Sequence, residues 1–114
     1  MIPEINVQQL AERLQTDEKF TILDVREAWE VDLARLEDPR VHLLPLSQLA
    51  RNLLDAFPAE LRDPQTPLVI LCHHGARSAN VTGWMRQQGW QNVHSLQGGI
   101  AAYAEQIQPS IGFY

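Results

Sequence analysis

The sequence has little cysteine, little lysine and no long apolar run. One cysteine stands among 114 residues. Cys72 therefore has no intramolecular disulfide partner, and a zinc site built from several thiolates is excluded. Lys19 is the single lysine, the arginines are scattered, and the net charge is -5. Affinity for nucleic acid rests on clustered Lys and Arg, so no nucleic-acid partner is expected. No stretch is apolar for long enough to span a bilayer. The opening MIPEINVQQLAERL lacks a basic start followed by an apolar block, so no secretory signal is read. These absences set the expectation of a cytoplasmic protein with no membrane partner. No repeat or low-complexity tract occurs either.

What is present is globular. Hydrophobic residues make up 45% and charged residues 20% of the chain, enough to build one core without disulfides or metals. A single domain over 1–114 is expected, with its core at about 5–106 and a tail at 107–114. Asn6 and Gln9 resemble a capping box, and Val7, Leu10, Ala11 and Leu14 follow at helical spacing, so a helix is predicted from 6 to about 15. Strands are predicted at 20–25, 41–44, 68–71 and 93–96. Further helices are predicted at 26–31, from Ser47 as N-cap to Phe57, from Ser78 to Gln88 with Gly89 closing it, and from Ile100 to about Gln106. Leu49, Leu53 and Leu54 read as core. The tail shows no pattern. Strands alternating with helices indicate an α/β fold with a mainly parallel sheet.

The segment VILCHHGARSANVTGW sets Cys72 directly after the most apolar strand and just before a long helix. Ligands of open α/β sheets sit at the carboxyl ends of strands. A loop feeding a helix start turns several backbone N–H groups toward one point, where they favour negative charge. A thiolate is such a charge, so Cys72 reads as a nucleophile rather than an inert buried thiol. Gly75 suits a tight cradle. Arg77 adds a permanent positive charge, either for an anionic substrate or to brace the loop against an acid such as Asp24. Ser78 reads as the helix cap. His73 and His74 adjoin Cys72, but adjacent side chains on a tight loop rarely converge on one metal ion, and no third ligand is evident. They are expected to shape the pocket mouth and to add positive potential when protonated. Trp29, Trp84 and Trp90 read as packing or edge residues.

LDVREAWE at 23–30 and VILCHHGARSANVTGWMRQQGWQNVHSLQGGIAAY at 69–103 together resemble the rhodanese domain. The resemblance spans nearly the whole chain and includes the Gly-aromatic-x-Asn-Val link and the Gly-Gly turn. It implies a five-stranded, mainly parallel sheet flanked by helices on both faces. It also implies that Cys72 takes a sulfane sulfur from a donor such as thiosulfate, forming a persulfide that a thiophilic acceptor unloads. The backbone of Cys72, His73, His74, Gly75, Ala76 and Arg77 would cradle the persulfide or the anionic donor. Asp24 and Arg26 match the family's Asp-Val-Arg stretch and are expected to orient the loop and strand ends. Four residues lie between Cys72 and Arg77, whereas the related dual-specificity phosphatases place five there, so sulfur transfer ranks above phosphate ester hydrolysis. The stretch 33–42 departs from the family's His-Ile-Pro-Gly-Ala segment, which bears on the pocket rim. Tyr103 stands where the family often has Trp, and should still anchor by packing.

With one cysteine there is no internal resolving thiol, so an external acceptor must complete the cycle. Expected partners are a small anionic donor such as thiosulfate, and an external thiol, cyanide, a thioredoxin-like protein or a sulfur-relay protein as acceptor. No cofactor and no metal are called for. A persulfide carrier in protein-to-protein relay, or a non-catalytic binding module, are the competing readings.

Overall fold

The computed structural model describes residues 2–114. Glu4–Ile5 forms a two-residue strand, β1, too short for a period-two pattern to reveal in the sequence. The first helix, α1, is Val7–Leu14. Its capping box forms as predicted: the Gln9 amide donates to the Asn6 side chain and the Asn6 amide to the Gln9 side chain, both at 2.8 Å. The remaining elements are β2 (Thr21–Asp24), α2 (Ala28–Leu33), β3 (Val41–Leu43), α3 (Leu46–Asn52), β4 (Leu68–Leu71), α4 (Ala76–Gln87), β5 (Val93–Leu96) and α5 (Gly99–Gln106), with short 3-10 turns at Leu53–Ala56, Ala59–Leu61 and Pro109–Ile111.

The five strands form one sheet in the order β1-β5-β4-β2-β3, and every pairing is parallel. β4 lies at its centre, and all four of its side chains are buried. Leu68 and Ile70 pack on one face with Leu49 of α3 and Val81 and Met85 of α4. Val69 and Leu71 pack on the other with Leu10 of α1 and Ile100 and Tyr103 of α5. A strand covered on both faces needs apolar residues at every position, which explains the unbroken Leu68–Leu71 run. Tyr103 is buried in the second cluster, as the aromatic anchor expected there.

The structure departs from the sequence reading between β3 and β4. Pro45, not Ser47, precedes the helix; Ser47 lies inside α3, and its hydroxyl donates to the Glu27 carboxylate at 2.6 Å. The helix predicted to reach Phe57 stops at Asn52, because Leu53 turns left-handed (φ 52°) and a 3-10 turn follows. That reversal lets Phe57 enter the core beside Trp84 and Trp90, at ring-centroid distances of 6.1 and 4.9 Å. It also turns Leu53 and Leu54 outward, 55% and 43% exposed, so of the three leucines read as core only Leu49 is buried. Gly89 closes α4 with φ 116°, as predicted.

At the carboxyl end of β2, Asp24 and Arg26 form a buried pair. The Asp24 carboxylate accepts from Arg26 Nε at 2.9 Å and Nη2 at 2.7 Å, while Arg26 Nη1 donates to the Ala34 carbonyl at 2.7 Å. Burial works against the charge on Arg26, but its bonds to Asp24 and Tyr114 outweigh that and hold its pKa above the usual value. The pair ties the end of β2 to the end of α2. Removing one partner of a buried ion pair leaves the other charge uncompensated. Arg26→Ala should therefore cost about 3–5 kcal/mol in urea unfolding. Arg35→Ala, which breaks only exposed pairs, with Asp32 at 3.4 Å and Glu37 at 3.8 Å, should cost under about 0.5 kcal/mol. Equal small losses would contradict this view of the pair.

Candidate active site

β4 delivers Cys72 into the loop before α4, where the sequence placed it. Gly75 adopts φ 106° and serves as the N-cap, a left-handed turn that suits a residue without Cβ. The turn brings the Gly75 amide to 3.0 Å and the Ser78 amide to 3.3 Å from Cys72 Sγ. Two N–H donors at a helix start favour negative charge on that sulfur. Because Gly75 makes the turn, α4 opens at Ala76, two residues before the predicted start. Ala76 and Arg77 thus lie in its first turn, and Ser78 is not the cap. Ser78 is instead buried, with Oγ 3.4 Å from Cys72 Sγ, 3.1 Å from the Gly75 carbonyl and 2.8 Å from Ser95 Oγ. Ser95, on β5, is a site residue the sequence reading missed. Cys72 itself is only 1% exposed.

The loop is held from beneath by α5. The Ile100 amide donates to the Cys72 carbonyl at 2.9 Å and the Ala101 amide to the His73 carbonyl at 3.0 Å. Gly99 (φ 63°) permits this approach. A Cβ built there would overlap the His73 carbonyl oxygen and sit 2.5 Å from that of Cys72.

Arg77 does not pair with Asp24, which is occupied by Arg26. It pairs with Glu30 of α2, through Nη1–Oε1 at 2.6 Å and Nη2–Oε2 at 2.8 Å. Glu30 lies within the LDVREAWE segment, but its acceptor role was not read from sequence. The Arg77 bonds pull the Glu30 pKa down from 4.5 to about 2, against the opposing effect of burial, and the same bonds raise that of Arg77. Glu30 Oε2 also accepts from the Tyr114 hydroxyl at 3.0 Å, and that hydroxyl in turn accepts from Arg26 Nη1 at 3.1 Å. The Tyr114 ring stacks on His73 (3.8 Å, 8°), and His73 in turn lies 3.8 Å from His74. No local pattern could flag Tyr114, since its hydrogen-bond partners are 84 and 88 residues away. Burial, with the neighbouring His74, lowers the His73 pKa and so disfavours the protonated form in which it would add positive potential. Among the described residues no group of three His, Cys, Asp or Glu side chains is placed to hold a metal ion.

Two consequences are measurable. Glu30 has a depressed folded-state pKa, so its contribution is present above the unfolded value near 4.5 and lost as pH falls toward about 2. Wild type should exceed Glu30→Gln in urea stability by about 3 kcal/mol at neutral pH. The gap should close between about pH 5 and pH 2, and a gap independent of pH would refute the assignment. Gly99→Ala should lose about 1–3 kcal/mol and also slow Cys72 alkylation by iodoacetamide. Gly89 has φ 116° but no atom within 4 Å of an added Cβ, so Gly89→Ala should lose stability without slowing alkylation. Equal slowing in both variants would count against a specific contact between Gly99 and the loop.

Comparisons with known proteins converge on one family. The model of the rhodanese-like domain matches residues 6–106. A sulfurtransferase of Allochromatium vinosum is 31% identical over 97% of this chain and 96% of its own length. The rhodanese-like/PpiC domain-containing protein 12, chloroplastic, of Arabidopsis thaliana is 31% identical over 99% of this chain. The chain spans 38% of that protein and 26% of the next curated relatives. A crystal structure of a rhodanese-related protein from Thermoplasma volcanium superposes with a TM-score of 0.72 at 26% identity, covering 94% of this chain and 95% of that one. No helix among the described residues is long and apolar enough to cross a membrane. The sheet order, the cysteine loop and the matched span agree: this chain belongs to the rhodanese-like domain family.

Proposed function

We propose that this protein is a thiosulfate sulfurtransferase that carries sulfane sulfur on Cys72. The observation that carries this reading is the pair of backbone amides, Gly75 and Ser78, directed at Cys72 Sγ at 3.0 and 3.3 Å. The Cys72 thiolate attacks the outer sulfur of thiosulfate. A new S–S bond forms, the S–S bond of thiosulfate breaks, and sulfite leaves with the bonding pair. The product is a Cys72 persulfide, whose terminal sulfur carries the negative charge that the loop amides favour. The backbone of His73, His74, Gly75 and Ala76 lines the cradle, Ser78 supports it from within α4, and Arg77 supplies positive charge at its edge. Cyanide or an external thiolate then attacks the terminal sulfur, leaving as thiocyanate or a new persulfide and returning Cys72 as thiolate. With one cysteine in the chain, the acceptor is external: a small thiol, a thioredoxin-like protein or a sulfur-relay protein. Dependence on reduced thiols suits a reducing compartment such as the cytoplasm.

Incubation with thiosulfate should add the mass of one sulfur atom to the intact protein. Cyanide should remove it, and Cys72→Ser should show no adduct. A folded wild-type protein that gains no sulfur would overturn the proposal. Slow thiocyanate release alongside rapid transfer to a protein thiol would assign the same persulfide to a relay role.

A further inference from the structure

We infer that Tyr114 is a positioning residue for the anionic sulfur donor: it fixes Glu30, and through Glu30 it sets the Arg77 guanidinium at the edge of the Cys72 loop. The inference rests on the reading of Cys72 as sulfur acceptor. Three features of the geometry support it.

First, both oxygens of Glu30 are held from two sides. Arg77 takes them with parallel bonds at 2.6 and 2.8 Å. Oε1 also accepts from the Glu27 amide at 3.1 Å, and Oε2 from the Tyr114 hydroxyl at 3.0 Å. A carboxylate fixed this way has little freedom left, and a planar guanidinium bound to it bidentately inherits its orientation.

Second, the direction of each bond at the Tyr114 hydroxyl is settled. An arginine only donates and an ionised carboxylate only accepts, so the hydroxyl accepts from Arg26 Nη1 at 3.1 Å and donates to Glu30. Tyr114 thus joins the Asp24–Arg26 pair to the Glu30–Arg77 pair. Part of the Glu30 charge is answered by Arg26 through the hydroxyl. Arg77, whose side chain is 32% exposed, keeps correspondingly more positive potential toward an approaching anion.

Third, the ring is held independently of the hydroxyl by its 3.8 Å stack on His73, the residue after Cys72. Tyr114→Phe therefore keeps the stack and removes only the bridge.

The test uses the full chain and two reagents for Cys72 of similar size, iodoacetate (an anion) and iodoacetamide (neutral). Tyr114→Phe should lower the iodoacetate-to-iodoacetamide rate ratio about three- to tenfold, the range spanned by the net worth of one ordinary hydrogen bond. The iodoacetamide rate should stay within about twofold of wild type, since that reagent has no charge for Arg77 to attract. The KM for thiosulfate should rise with kcat little changed. In a Glu30→Gln background the same substitution should change the ratio no further, because the path to Arg77 is already broken. Equal slowing of both reagents, an unchanged ratio, or an effect that persists in full with Glu30→Gln would each overturn the inference and leave Tyr114 as a structural contact. Alkylation requires no sulfur transfer. If thiosulfate leaves no sulfur on wild type while Tyr114→Phe still lowers the ratio, sulfur transfer fails and the positioning of Arg77 stands.

Discussion

The site depends on two backbone hydrogen bonds that run away from it. The carbonyls of Cys72 and His73 are taken by the Ile100 and Ala101 amides at the start of α5. A peptide unit carries its C=O and N–H on opposite sides, so fixing these carbonyls fixes the planes of the first loop peptides. The loop then returns through the left-handed turn at Gly75, and the amides of Gly75 and Ser78 close on the sulfur. Gly99 makes the arrangement possible, because α5 could not come so near the loop with a side chain there. The nucleophile is therefore a product of β4, α4 and α5 together, and not of the cysteine motif alone.

A second layer holds the loop from the side. Two ion pairs, Asp24–Arg26 and Glu30–Arg77, converge near the carboxyl ends of β2 and β4, joined by Tyr114. Buried pairs of this kind are poor sources of net stability, because desolvation offsets much of their attraction. What they supply is geometry: Arg26 ties β2 to α2, α2 presents Glu30, and Glu30 orients the first turn of α4 through Arg77. His73, whose pKa burial lowers and whose ring lies between those of Tyr114 and His74, belongs to this packing.

Much of the fold was legible because its signals are local. The apolar run Leu68–Leu71, the Asn6–Gln9 capping box and Gly89 each reflect a constraint that neighbouring residues satisfy. The cysteine loop was legible for the same reason, since strand, turn and helix are contiguous. The misreadings have a common cause. The helix from Ser47 to Phe57 looked continuous, but tertiary packing of Phe57 against two tryptophans reversed the chain at Leu53 and exposed two leucines. Ser78 looked like a cap by residue type, yet Gly75 had already made the turn. Glu30 and Tyr114 were not assigned roles because their partners lie 47 to 88 residues away, beyond the reach of any periodicity.

The central physical claim is that the Gly75 and Ser78 amides donate to the sulfur of Cys72. Their amide proton chemical shifts, compared by NMR between wild type and Cys72→Ala at neutral pH, test it most directly. The expected result is that these two resonances move upfield more than any other amide of the loop or of α4 when the sulfur is removed. Shifts that stay unchanged at Gly75 and Ser78, with larger changes elsewhere in α4, would contradict it.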